Sequence, residues 1–122
     1  MTFEQWASRF STGVTPALAV LQQCEETCVR QWAPALVAHA DQLRAASTAL
    51  SRWVEENPCP IGDIGLELAQ AARSYANAAD VLQESIGTGT TWLAVTREIQ
   101  LLHREMTDVL GHHYQAVISA RH

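Results

Sequence analysis

With 122 residues, 48% of them hydrophobic and 17% charged, the chain is long enough for one domain with a buried core and too short for two. Eight basic residues, every one arginine, stand against thirteen acidic ones, and the net charge of −5 has the wrong sign for neutralising phosphates, which argues against nucleic acid as a partner. No apolar run approaches the roughly 20 residues that span a bilayer, which argues against a membrane helix.

Thr2-Phe3-Glu4-Gln5 has the form of a capping box, and Phe3, Trp6 and Phe10 recur on one face, so a short N-terminal helix is predicted that ends by Gly13. Thr15-Pro16 then reads as a start signal, with Thr at the N-cap and Pro at the first helical position. From there Leu18, Leu21, Cys28, Trp32, Leu36, Ala40, Leu43, Leu50 and Val54 follow at helical steps, interrupted at Glu25 and Ser47. The stripe keeps its phase through Pro34. A proline kink removes one hydrogen bond, to the Arg30 carbonyl, and lets a helix continue. The pattern predicts one long helix from about Pro16 to about Glu56, kinked at Pro34, with two helices meeting at Trp32-Ala33 as the alternative. Two prolines in Asn57-Pro58-Cys59-Pro60 end it.

The next helix begins at Asp63 as N-cap and carries Ile64, Leu68, Ala71, Tyr75, Ala79, Leu82 and Ile86 on one face, with Gly87-Thr88-Gly89-Thr90 as its stop and the following turn. The last runs from about Thr91 nearly to the C-terminus, with Trp92, Val95, Ile99, Leu102, Met106, Val109, His113 and Val117 in phase and Gly111 as a weak point. No stretch alternates apolar and polar residues, so strands are not expected. The fold class that follows is all-α: an antiparallel bundle of three to four main helices plus a short N-terminal helix, one domain over residues 1–122.

At 1.5 Å per residue the three main segments measure roughly 60, 36 and 45 Å. Returning from Pro60, the second reaches only about the level of Pro34. Leu18, Leu21, Cys24, Cys28 and Trp32 then lack cover on their own chain, and a stripe of that size is not left in water. Either Pro34 is a sharp break and the first segment folds back into a four-helix bundle, or the segment projects and pairs with another chain. Pairing is preferred here, most simply a homodimer, with a helical protein partner as the alternative.

Candidate chemistry is sparse. Cys24 and Cys28 stand one helical turn apart, the spacing of a redox pair or half a thiolate metal site, with Cys59 distant. Their place in the apolar stripe favours simple burial, and Glu25 and Glu26 disfavour a thiolate by like-charge repulsion. Glu105, Asp108 and His112 form a carboxylate and imidazole row that could hold a divalent cation or respond to pH, though such a row is more often a solvated face. His113 reads as a core or interface histidine hydrogen-bonded to a neighbour, and His39 and His103 invite the same reading. No Glu-x-x-His, phosphate-cradling loop, Gly-x-Ser-x-Gly or His-Glu-x-x-His occurs, and Gly87-Thr88-Gly89 lacks a basic partner. No catalytic residue is assignable, and neither an enzyme nor a cofactor is expected. Trp53 is expected over the Asn57-Pro60 turn and Ile61.

Nineteen alanines and the absence of lysine are the bias of GC-rich codons, as in actinobacteria. Three sparse cysteines fit a reducing compartment, and without a charged n-region before an apolar stretch a cytoplasmic location is expected. The Ala-rich segment Leu68-Ala-Gln-Ala-Ala-Arg-Ser-Tyr75-Ala-Asn-Ala-Ala-Asp80 resembles small actinobacterial WXG100-like proteins of the type VII (ESX) secretion pathway, over about residues 36 to 86. That resemblance implies helix-pair dimerisation and export independent of a signal peptide. The family's Trp-x-Gly turn is absent, and Tyr75 and Asp80 are five apart rather than at the Tyr-x-x-x-Asp/Glu spacing. The expected function is a non-enzymatic interaction or structural module, homodimeric through Leu18, Leu21, Cys24, Cys28 and Trp32. Alternatives are a thiol redox or metal sensor using Cys24 and Cys28, or a secretion-associated helical protein.

Overall fold

In a computed structural model, which describes residues 1–30, 36–60, 62–88 and 92–121, the chain forms four α-helices. They are α1 (Phe3–Arg30), α2 (Leu36–Glu56), α3 (Ile64–Thr88) and α4 (Trp92–Ala120). Among the described residues there is no strand. Each helix lies against the next, and α4 closes the ring on α1. Cross-helix contacts fix the directions. Trp6 donates from Nε1 to the Asn57 carbonyl at 2.7 Å while Thr27 Oγ1 meets His39 Nε2 at 2.5 Å, so α1 and α2 are antiparallel. Ser47 bonds the Ala72 carbonyl, Ser74 bonds Glu105, and Glu25 meets His103, which makes every neighbouring pair antiparallel in an up-down-up-down bundle.

The all-α bundle agrees with expectation, and two boundaries do not. The first correction concerns the short N-terminal helix. Thr2 does close a capping box, its N–H donating to Gln5 Oε1 at 3.0 Å and its Oγ1 accepting from the Gln5 N–H at 3.3 Å. The helix so started runs through Gly13 and Pro16 to Arg30. Proline costs it one backbone bond, to the Thr12 carbonyl. Trp6, Phe10, Val14, Ala17, Leu21 and Cys24 nevertheless form one continuous buried face, and that burial outweighs the loss. Gly13 is no terminator: a Cβ there would lie 2.5 Å from Trp53 Cγ, so the missing side chain is what lets α2 approach.

The second correction concerns the long helix from Pro16 to Glu56. Antiparallel α1 and α2 exclude it, because one continuous helix cannot lie beside itself. Trp32 and Pro34 lie outside the described residues, as do Ile61, Gly89 and Thr90 and the side chains of Leu36, Ile86 and Trp92. At the other end, α2 stops at Glu56, Asn57 closes it by donating both its backbone N–H and its side-chain amide to the Trp53 carbonyl, and Gly62 takes a left-handed φ of 72° before α3. Asp63 begins α3 as expected, its carbonyl accepting the first helical bond from Glu67 at 3.0 Å. α3 continues through Gly87 to Thr88.

Ile64, Leu68, Ala71, Tyr75, Ala79 and Leu82 of α3 and Val95, Ile99, Leu102, Met106 and Val109 of α4 are all buried, as their spacing predicts. The small side chains of Ala71, Ala72, Ala78 and Ala79 let α3 approach its neighbours closely. Tyr75 is fully buried and its hydroxyl donates across the core to the Ala17 carbonyl at 2.6 Å, tying α1 to the diagonal helix. At the lower end, Trp6, Phe10, Trp53 and His113 form an aromatic cluster.

Candidate functional site

The sequence singled out residues that the fold distributes over α1, its seam with α4, and the outer side of α4. Of the proposed interface, Leu21 and Cys24 are 3% and 2% exposed and belong to the chain's own core, with Leu18 and Cys28 half-buried against it. Trp32 lies outside the described residues. Once α1 folds back along α2 and α4, the uncovered stripe that motivated pairing through these positions no longer exists for Leu21 and Cys24.

Burial also governs the thiols. Cys24 is pushed up to about 12 by desolvation first, with Cys28 and Glu25 adding like-charge repulsion. Cys28 is raised as well, chiefly by burial, with a hydrogen bond from Thr96 working the other way and Glu25 adding to the rise. Both environments disfavour a thiolate, the reactive and metal-binding form. Cys59, in the turn between α2 and α3, sits at the opposite end of the bundle. Among the described residues no group of three or more His, Cys, Asp or Glu side chains is placed to hold a metal ion.

The carboxylate and imidazole row on α4 splits. Glu105 turns toward α3 and accepts from Ser74 Oγ at 2.6 Å, and His112 meets Glu67 of α3 at 2.7 Å. That carboxylate, through its hydrogen bond and its charge, raises the His112 pKa, and Asp108 adds to the rise. Asp108 itself stays exposed. His39 is a core histidine, bridging Thr27 and Gln42. His103 is not: it is exposed and pairs with Glu25 at 2.5 Å. His113 departs from expectation in another way. It stacks on Phe10 at 3.7 Å, burial lowers its pKa, and its buried Nε2 has no hydrogen-bond partner. Neutral, it behaves as another ring of the aromatic cluster. The Trp53 ring lies over Gly13 and against Trp6 and Phe10, and Ile61, its other expected neighbour, is outside the described residues.

Along the α1–α4 seam runs an open cleft of about 770 Å³, floored by Ile99 and walled by Glu25, Cys28, Thr96, His103 and Thr107. Beside it, α4 carries a second stripe that the spacing of its buried residues does not announce. Leu93, Arg97, Leu101, Arg104, Asp108, Gly111 and Gln115 follow at helical steps and are all exposed. They form a second stripe opposite the core stripe. Leu93 and Leu101 are 66% and 44% exposed; Leu110 and Tyr114, at 37% and 63%, lie instead on the α1 side of the helix, Leu110 about half a turn round from Leu101. Thus α4 carries four of the six large exposed apolar side chains of the described residues. Among those residues neither Arg104 nor Asp108 enters an ion pair.

No family model matches the chain, and no curated protein or solved structure matches it. No helix among the described residues is long and apolar enough to cross a membrane.

Proposed function

We propose that the protein is a non-catalytic association module that pairs with a second copy of itself through the outer face of α4. The observation that carries this reading is the pair of exposed leucines, Leu93 and Leu101, on the face of α4 opposite the one buried in the core. The same stripe holds both signs of charge, Arg97 and Arg104 with Asp108, so it is complementary to itself. Around it, burial raises Cys24 and Cys28 away from the reactive thiolate form, and His103 and His112 are each engaged by a carboxylate.

The test is the mass of the full chain by sedimentation equilibrium up to about 100 µM, a range that covers weak standard-size interfaces. A dimer that the double substitution L93E/L101E turns into a folded monomer supports the reading. A wild-type chain that stays monomeric throughout the range overturns it.

A further inference from the structure

On the strength of that association reading, we propose a specific register: two copies dock α4 on α4, antiparallel, about a two-fold axis at the level of residue 106, locked by reciprocal Arg104–Asp108 pairs. In an isologous contact each residue meets the one equally far on the other side of the axis. Centring on 106 places Arg104 against the partner's Asp108 and Asp108 against the partner's Arg104. Both positions are exposed on the outer stripe, and no ion pair among the described residues occupies either.

Within one helix the two are a poor match, since a cation four residues before an anion runs against the helix dipole. Across the axis the same spacing gives two pairs at once. The register also accounts for a glycine in the middle of an exposed helix, where glycine is unfavourable. Leu101 falls opposite the partner's Gly111, and a Cβ built at Gly111 would meet nothing within 4 Å, so the backbone there is bare and open to receive a side chain. Leu101, at 44% exposure, is the knob that fits. A register centred on Leu101 would instead set Asp108 opposite Ala94, and Arg104 opposite Glu98, which is half-buried and lies off the outer stripe.

Charge reversal tests this on the full chain, by sedimentation at about 0.1 M salt, where pairs within about 10 Å still act. R104D and D108R each place like charges together twice, and each raises the dimer Kd about tenfold or more, while R104D/D108R restores it to within about threefold of wild type. Circular dichroism checks that all three fold. If the wild type dimerises but D108R is as tight as wild type, or the double variant is no better than the singles, the register is overturned while self-association stands. A monomeric wild type overturns both.

Discussion

Replacing Tyr75 by Phe tests the arrangement that separates this fold from a projecting first helix. The side chain is fully buried and its hydroxyl reaches the Ala17 carbonyl at 2.6 Å, a bond that exists only if α1 lies back along the bundle. Phe keeps the ring and removes the donor. Ala17 keeps its place in α1, so the loss is that of one buried hydrogen bond, about 1 kcal/mol at pH 7, or about 4 °C in Tm for a chain of this size. Alkaline pH provides a second reading. Burial holds the Tyr75 hydroxyl protonated well above the usual tyrosine range. An unfolded tyrosine ionises near 10, so above that pH the unfolded state binds fewer protons than the folded one and stability falls, by up to about 1.4 kcal/mol per unit. Y75F lacks this loss, whereas the rise at Cys24, set first by its own burial, is kept in both proteins. Urea unfolding followed by circular dichroism at pH 7, 10 and 11 is the assay. The wild type is the more stable by about 1 kcal/mol at pH 7, and the difference falls by about 1.4 kcal/mol by pH 11, leaving Y75F slightly the more stable there. Equal stability at pH 7, or a difference that ignores pH, would refute the placement of α1.

Two further outcomes follow from the same geometry. The Glu67 carboxylate raises His112, so the stability this pair contributes is complete below the ordinary histidine pKa of about 6.5 and is lost as pH rises through the higher folded value. An NMR titration finds His112 above its ordinary value in the wild type and close to it in E67Q; no difference between the two would show the pair is not formed. With Cys24 at about 12, only about one molecule in ten thousand carries its thiolate at pH 8, and the residue is 2% exposed. Iodoacetamide therefore modifies Cys24 at least about a hundredfold more slowly in the native protein than in guanidinium. Native labelling at the denatured rate would place it outside the core.

Helical period and cap residues were enough to determine the all-α class, the inward faces of α3 and α4 from Ile64 to Val109, the capping box at Thr2 and the start at Asp63. Each depends on residues within a turn or two of one another, and local hydrogen bonding and burial read such spacings directly. Where the chain reverses is a different matter. A stripe running in phase from Leu18 to Val54 serves a continuous helix and a helix folded back on itself equally well, because both bury one face, and only the contacts of Trp6 with Asn57 and Thr27 with His39 choose between them. Pro16 likewise reads as a beginning until the buried run from Trp6 to Cys24 shows that core contacts outweigh one lost backbone bond. The pairs Glu25–His103 and Glu67–His112, 78 and 45 residues apart, leave no trace in the sequence. They exist because antiparallel helices bring distant turns to one level, which is a property of the assembled bundle and of no segment within it.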